Sequence, residues 1–155
     1  MKKLFFTLTI ASLLFTSCKK EVNPFLISNQ NIGLLTDSTQ IKDLKTIFAN
    51  DSIVNFTTTD AYLNNGNDIE IFEKGGKKLL ELTPNHMIDS TATIETIKVI
   101  DPRYKTEKGI TTESTFGDIK ANYKISSIQN TIRNVVIFVN ENNTFFTIDK
   151  KELPS

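Results

Sequence analysis

The sequence predicts an α+β protein made of two tandem units, the second one shorter, in which a helix is followed by an antiparallel sheet. Three observations predict this architecture: a helix-start motif occurs twice, seven strand-like runs follow, and the composition suits one small globular domain. Of the 155 residues, 39% are apolar and 23% are charged, and eleven phenylalanines supply material for a core.

The helix-start motif lies in residues 33–48 and again in residues 109–123, about 76 residues later. Asp37 or Ser38 in the first copy, and Ser114 or Thr115 in the second, can accept hydrogen bonds from the free N–H groups of a helix start. Behind each cap, apolar residues recur at i, i+3 and i+7, so each helix is expected to pack one apolar stripe on a sheet. These residues are Ile41, Leu44 and Phe48, and then Phe116, Ile119 and Tyr123.

Seven runs with strand composition are separated by turn signals such as Gly75-Gly76 and the asparagine-rich segment 140–143. The runs are 53–59, 68–74, 77–83, 94–101, 123–129, 134–140 and 144–149. The first unit, residues 33–102, holds four of them, and the second unit, residues 109–155, holds three. We therefore expect the second sheet to have an open edge.

Residues 1–17 have the pattern of a secretory signal peptide, with Lys2 and Lys3 followed by an apolar run over residues 4–15. The run is about half as long as a membrane-spanning helix, which needs roughly 20 residues. A cleaved leader is therefore predicted, followed by a tether over residues 18–31 and a single domain over residues 32–155.

The segment that ends the leader, Phe15-Thr16-Ser17-Cys18, resembles the lipobox of bacterial lipoproteins, in which the cysteine becomes the lipid-modified N-terminus. Acyl chains on Cys18 would hold the protein on a membrane, because each buried methylene contributes about 0.8 kcal/mol. A secreted protein cleaved nearby, or a free buried thiol, are the alternatives for this lone cysteine. Lys19, Lys20 and Glu21 lack the acidic run that marks surface-exported lipoproteins of Bacteroidota, and by that resemblance the protein is expected at the outer membrane, facing the periplasm.

A family resemblance rests on the pattern G-x-L-T-x-S-T, then I-x-x-I-x-V-x-D, then G-x-x-x-x-S-T-x-x-D-I. The chain resembles uncharacterised cell-envelope lipoproteins of Bacteroidota and, more distantly, a sigma-E-regulated proteobacterial lipoprotein family of unknown function. The matching positions are Gly33, Leu35, Thr36, Ser38, Thr39, Ile94, Ile97, Val99, Asp101, Gly109, Ser114, Thr115 and Asp118. The resemblance implies an envelope location and names no ligand.

Catalytic and ligand-binding motifs are sparse. The 18 basic and 18 acidic side chains balance, so no nucleic-acid partner is predicted. One histidine, His86, and one cysteine cannot form a usual zinc site, and the oxygen-rich segment 60–70 does not have EF-hand spacing. The segment Gly76-Lys77-Lys78 lacks the serine or threonine of a P-loop. We predict no metal, no cofactor and no enzymatic activity.

The most plausible functional surface is residues 101–109, where four residues precede the second helix: Arg103, Tyr104, Lys105 and Lys108. Cations near a helix start attract anions, so these residues are candidate contacts for an anion or a partner protein. The alternative, which the sequence favours, is that Pro102 ends the strand and that these residues are solvated or pair with nearby acids. Glu81 and Glu95 could be invoked as a glycosidase-like carboxylate pair, but exposed strand faces explain them far better.

These observations together predict a lipid-anchored envelope protein that binds or scaffolds a protein or a cell-wall component without catalysis. Two alternatives stay open. One is an inhibitor or immunity protein that occludes the active site of its partner. The other is an enzyme whose carboxylate and lysine residues follow no recognised motif, which a converging polar pocket would reveal.

Overall fold

A computed structural model describes residues 22–55, 68–86, 89–141 and 143–153. Of these residues, 41% lie in strands and 15% in helices, and the strands form three sheets. The fold is therefore mainly β. The predicted α+β architecture of two helix-plus-sheet units is wrong, because strands hold far more of the chain than the two short helices and a third sheet is present.

Both helices are short. Helix α1 (Leu44–Ile47) has four residues and follows a 3₁₀ turn at Ile41–Asp43, and helix α2 (Phe116–Asn122) has seven. A second 3₁₀ turn, Lys150–Glu152, ends the described chain. The apolar stripes were predicted correctly for Leu44, Phe48, Ile119 and Tyr123, which are buried, whereas Ile41 is half-buried and Phe116 is exposed. No helix in the described part of the chain is long and apolar enough to cross a membrane.

The first sheet was not predicted, and its strands have only two residues each. It consists of β1 (Leu26–Ile27), β2 (Asn31–Ile32), β3 (Leu35–Thr36) and β8 (Lys105–Thr106), in the order β3-β2-β1-β8. Strand β1 pairs in parallel with β8. Ile27 is buried in the core, so residues 25–31, which the sequence assigned to a tether, belong to the folded structure.

The second sheet is an antiparallel meander whose strands coincide closely with the predicted runs. Its strands are β4 (Ser52–Asn55), β5 (Ile69–Phe72), β6 (Lys78–Pro84) and β7 (Ile94–Val99). One face packs with α1 and the first sheet on the first hydrophobic core, where Leu35, Leu44, Ile71, Leu80 and Leu82 are almost completely buried.

The third sheet is a shorter meander, β9 (Ile125–Asn130), β10 (Asn134–Val139) and β11 (Phe145–Asp149), with β10 in the centre. One face packs on α2 and forms a second core with Ile110, Ile119, Tyr123, Ile137 and Val139. The expected open edge is present: within the described residues, β11 pairs with β10 alone.

The two helix starts share one hydrogen-bond pattern. The N–H of Gln40 donates to Asp43 at 3.2 Å, and the N–H of Thr115 donates to Asp118 at 2.7 Å. The caps are therefore Gln40 and Thr115. Of the predicted candidates, Asp37, Ser38 and Ser114 do not cap a helix, and Thr115 does.

Candidate functional site

The predicted loop begins at Asp101, a carboxylate with no solvent exposure just after β7. Arg103 binds it with Nε at 3.0 Å and Nη2 at 2.9 Å, and its own backbone N–H donates at 2.8 Å. Lys77 adds an ion pair at 3.0 Å. The hydrogen bonds from Arg103 hold the pKa of Asp101 far below its usual range, against the effect of burial.

Arg103 also ties this loop to two distant parts of the chain. Its Nη1 and Nη2 donate to Glu73 at 2.8 and 3.0 Å, and these bonds lower the pKa of the Glu73 carboxyl. Its guanidinium carbon lies 4.6 Å from the centre of the Phe25 ring. All of these contacts are internal, so Arg103 serves the fold rather than a ligand.

Tyr104 is buried against the edge of the Phe25 ring, with ring centroids 5.1 Å apart. Burial raises the pKa of its hydroxyl to about 12. Lys105 is exposed on β8, and Lys108 donates to the backbone oxygen of Asn122 at 2.7 Å, at the end of α2. Lys108 also pairs with Glu141 and lies 4.6 Å from the centre of the Tyr123 ring.

The four predicted contact residues therefore do not converge on an anion site. Arg103 and Lys108 pair with different acids in different parts of the chain, and Tyr104 is buried. Of the four, only Lys105 has an exposed side chain that makes no polar contact with the described residues. The start of α2 already has a negatively charged group of its own, since the Asp118 carboxylate accepts hydrogen bonds from the N–H and hydroxyl of Thr115. The structure follows the alternative interpretation, in which the basic residues pair with nearby acids.

The other predicted candidates are also separate. His86 is exposed beyond β6, and residues 60–67 of the oxygen-rich segment lie outside the described residues. Glu81 pairs with Lys78 and Lys98, whereas Glu95 is exposed on β7. Among the described residues, no three His, Cys, Asp or Glu side chains are grouped so that they could hold a metal ion.

The solvent face of the second sheet is charged. Lys78 pairs with Glu70 and lies 3.3 Å from Glu81, which is 3.5 Å from Lys98. Burial alone would lower the pKa of Lys78, but its bonds to Glu70 and Glu81 outweigh this effect and raise it. Such a ladder of alternating charges is typical of a sheet face that meets water.

The solvent face of the third sheet has the opposite character. Because Val135, Ile137 and Val139 point into the second core, Val136 and Phe138 of the same strand point away from it. Phe145 lies opposite Phe138 in the register, with ring centroids 5.8 Å apart, and its side chain is 48% exposed. We call this surface the aromatic face, and its other members are Ser127, Gln129 and Thr147.

The aromatic face has no charged residue among these six, and its polar members carry only hydroxyl and amide groups. A shallow concavity of about 280 Å³ lies at the hairpin that joins β10 to β11, lined by Asn29, Asn140, Glu141 and Asn143. Glu141 is already paired with Lys108. Glu141 therefore has an internal partner, whereas the side chains of the aromatic face are available to contact another molecule.

Sequence reasoning missed this face, although the signal was in the chain. In the run Val135-Val136-Ile137-Phe138-Val139 every residue is apolar, which differs from the alternation of a strand with one wet face. Such a run predicts that both faces are covered, and the described residues cover only one.

Comparisons of the chain with known protein families, curated proteins and solved structures find no match.

Proposed function

We propose that this protein is a lipid-anchored, non-enzymatic component of the bacterial cell envelope that binds a partner protein through the aromatic face. The anchor would be Cys18, and the protein would face the periplasm from the outer membrane. The partner surface would be apolar at its centre, with groups that hydrogen-bond to hydroxyls and amides at its rim.

The observation that carries this proposal is the contrast between the two meander sheets. Each sheet packs one face on a core, yet the other face carries the ion pairs of Glu70, Lys78 and Glu81 in one sheet, and the half-buried Phe138 beside the exposed Phe145 in the other. Exposed aromatic residues with an uncharged surround have the composition of interface cores. The aromatic face is therefore a docking surface.

A binding role rather than a catalytic one is supported by how the ionisable groups are used. Asp101 has the most strongly shifted carboxyl pKa of the described residues, and Arg103 and Lys77 neutralise it. This network joins the end of β7, the turn after β5 and Phe25, which is a structural task. Because the aromatic face is neutral, binding through it should depend weakly on salt.

The chain between Cys18 and β1 is short. Only residues 19–25 separate the cysteine from β1, and seven residues span at most roughly 25 Å. A lipid on Cys18 would therefore hold the domain close to the membrane surface. Its partner would be a membrane protein or a protein that approaches this surface.

The binding proposal is tested with a photoreactive amino acid at Gln129, on the aromatic face, in the full chain expressed in its native cell. We expect a discrete protein adduct that disappears when Phe145→Ser is added. Thr96, an exposed polar residue on β7 of the second sheet, is the matched control position. Equal adducts from both positions, or an adduct insensitive to Phe145→Ser, would contradict the proposal.

A cell-wall ligand is a separate outcome of the same variants. If the full chain sediments with isolated peptidoglycan and Phe145→Ser abolishes this, a glycan or its peptide occupies the face and the proposed protein partner is wrong.

Anchoring is tested by feeding cells a labelled fatty acid and comparing the wild type with Cys18→Ser. We expect label and membrane association in the wild type only. An unlabelled wild-type chain would show that Cys18 is not acylated and would remove the anchor from the proposal, while leaving the binding test unaffected.

A further inference from the structure

Among the described residues no strand lies on the outer edge of β11, and this edge presents backbone groups that can pair with another strand. Lys150 donates its N–H to the carbonyl of Arg133 at 2.9 Å, in register with the pairing of β10 and β11. Every second residue of an antiparallel strand bonds to the same neighbour, so the backbone N–H and C=O groups of Phe146 and Ile148, like the N–H of Lys150, point toward β10. The N–H and C=O groups of Phe145, Thr147 and Asp149 therefore point toward the free edge.

The side chains of β11 also indicate a missing neighbour. Phe146 and Ile148 belong to the second core but are only half-buried, whereas Ile137 on the central strand is fully buried. In the second sheet, Leu80 and Leu82 of β6 are fully buried where β7 lies beside them. An added strand beside β11 would cover Phe146 and Ile148 in the same way.

The opposite edge of the sheet is less suited to pairing. Strand β9 meets β10 with a register shift between Phe138 and Val139, and such irregularities bend a strand and protect its edge. Strand β11 instead keeps an unbroken register with β10 from Phe145 to Asp149, and all its residues before Asp149 are uncharged. The open side of the sheet is therefore β11.

We propose that β11 pairs with β11 of a second copy of this chain, antiparallel and about a twofold axis at Thr147. This inference goes beyond the proposed function and does not depend on it. A twofold axis perpendicular to the sheet keeps core-facing residues on the same side of both copies. The pairing then sets Thr147 opposite Thr147, Phe146 opposite Ile148, and Phe145 opposite Asp149.

The residues of β11 are compatible with pairing to an identical strand. The one charged residue of β11, Asp149, lies opposite Phe145 in this register, and Lys150 and Lys151 lie beyond the strand in the 3₁₀ turn, so no like charges face each other within the paired strands. The Phe146–Ile148 pairs continue the second core across the axis, and the outward N–H and C=O groups of Phe145, Thr147 and Asp149 bond reciprocally. The dimer would also carry two aromatic faces on one side, which favours a bivalent partner.

The pairing is tested first by crosslinking in membranes. The full chain carries Thr147→Cys, and a short thiol-to-thiol crosslinker is added, since paired Cα atoms at this position lie about 5.5 Å apart. We expect a covalent dimer. Gln129→Cys, on the same face but on β9, is the control, and the wild type reports any contribution of Cys18. No dimer from Thr147→Cys, or equal dimer from Gln129→Cys, would overturn the inference.

A second measurement uses native mass spectrometry of the full chain released from detergent micelles. We expect a dimer for the wild type and for Gln129→Lys, and a monomer for Thr147→Lys, because two lysines would then face each other across the axis. Thermal unfolding of Thr147→Lys shows whether its monomer is folded. A monomeric wild type, or a dimer that survives Thr147→Lys, would contradict the pairing.

Discussion

The guanidinium of Arg103 binds both carboxylate oxygens of Asp101, with Nε–Oδ1 at 3.0 Å and Nη2–Oδ2 at 2.9 Å. The carboxylate is fully buried and the guanidinium reaches on to Glu73 in the turn after β5. This pair therefore joins the end of one strand to a hairpin about 30 residues earlier. Its position predicts how the protein responds to mutation and to acid.

Replacing Asp101 by asparagine should destabilise the fold by about 3 kcal/mol, since removing one partner of a buried ion pair leaves the other without compensation. Arg103 keeps Glu73, which places the effect at the lower end of that range. The free energy of unfolding in urea measures it. Asp37→Asn, which changes an exposed carboxylate, should shift this value by less than about 0.5 kcal/mol. Equal effects would show that Asp101 is not a structural charge.

The same pair should make the protein sensitive to acid. The pKa of Asp101 is lowered on folding, so its contribution to stability is present above the unfolded value of about 3.9 and is lost as pH falls toward the folded value. The stability difference between the wild type and Asp101→Asn should therefore be constant near pH 6 and shrink below about pH 4. Urea unfolding at several pH values measures this difference, and a pH-independent difference would refute the mechanism.

Tyr104 should respond to base. Burial raises its pKa from 10.0 to about 12, so it contributes stability below pH 10 that is lost as pH rises toward 12. A spectrophotometric titration of tyrosinate should contain a late component that disappears in Tyr104→Phe. If the titrations of the wild type and of Tyr104→Phe instead differ near pH 10, while the protein is still folded, then the Tyr104 hydroxyl is not shielded from water.

Two glycines with positive φ provide a matched pair for testing the packing under the first sheet. Gly33 has φ +58°, and an added Cβ would lie 2.3 Å from the carbonyl oxygen of Pro24 and 3.0 Å from the Tyr104 ring. Gly109 has φ +80° and open space around it. Gly109→Ala should cost about 1–2 kcal/mol for the backbone alone, and Gly33→Ala clearly more, roughly 3 kcal/mol or above. Thermal unfolding compares them, and similar losses would contradict the close approach of residue 24.

Much of the local structure was predictable from the residues. The strands of the second and third sheets were predicted because their apolar runs are bounded by turn signals such as Gly75-Gly76. The start of α2 was recognised at Thr115, because a cap and an apolar stripe depend only on neighbours in the chain. The first cap was placed at Asp37 or Ser38 and is Gln40 instead. The fold class was wrong because the first sheet was not predicted and the two helices hold only four and seven residues.

The first sheet and the use of the basic loop depended on contacts between distant residues. Leu26 and Lys105 pair in β1 and β8 although almost 80 positions separate them, and two-residue strands are too short for any periodicity to show. Arg103 was identified as important, but its partner Glu73 is chosen by the packing of the hairpin after β5. The aromatic face likewise exists only because the third sheet finds a core on one side alone.

By itself, the sequence determined which apolar runs form strands and near which residues helices start. Strand formation and helix starts depend on local periodicity and capping. Tertiary structure alone decided the fold class, the burial of Asp101 and Tyr104, and which face of β10 meets solvent. The physical reason is that pairing, desolvation and coverage are set by groups far apart in the chain, and no local pattern encodes their approach.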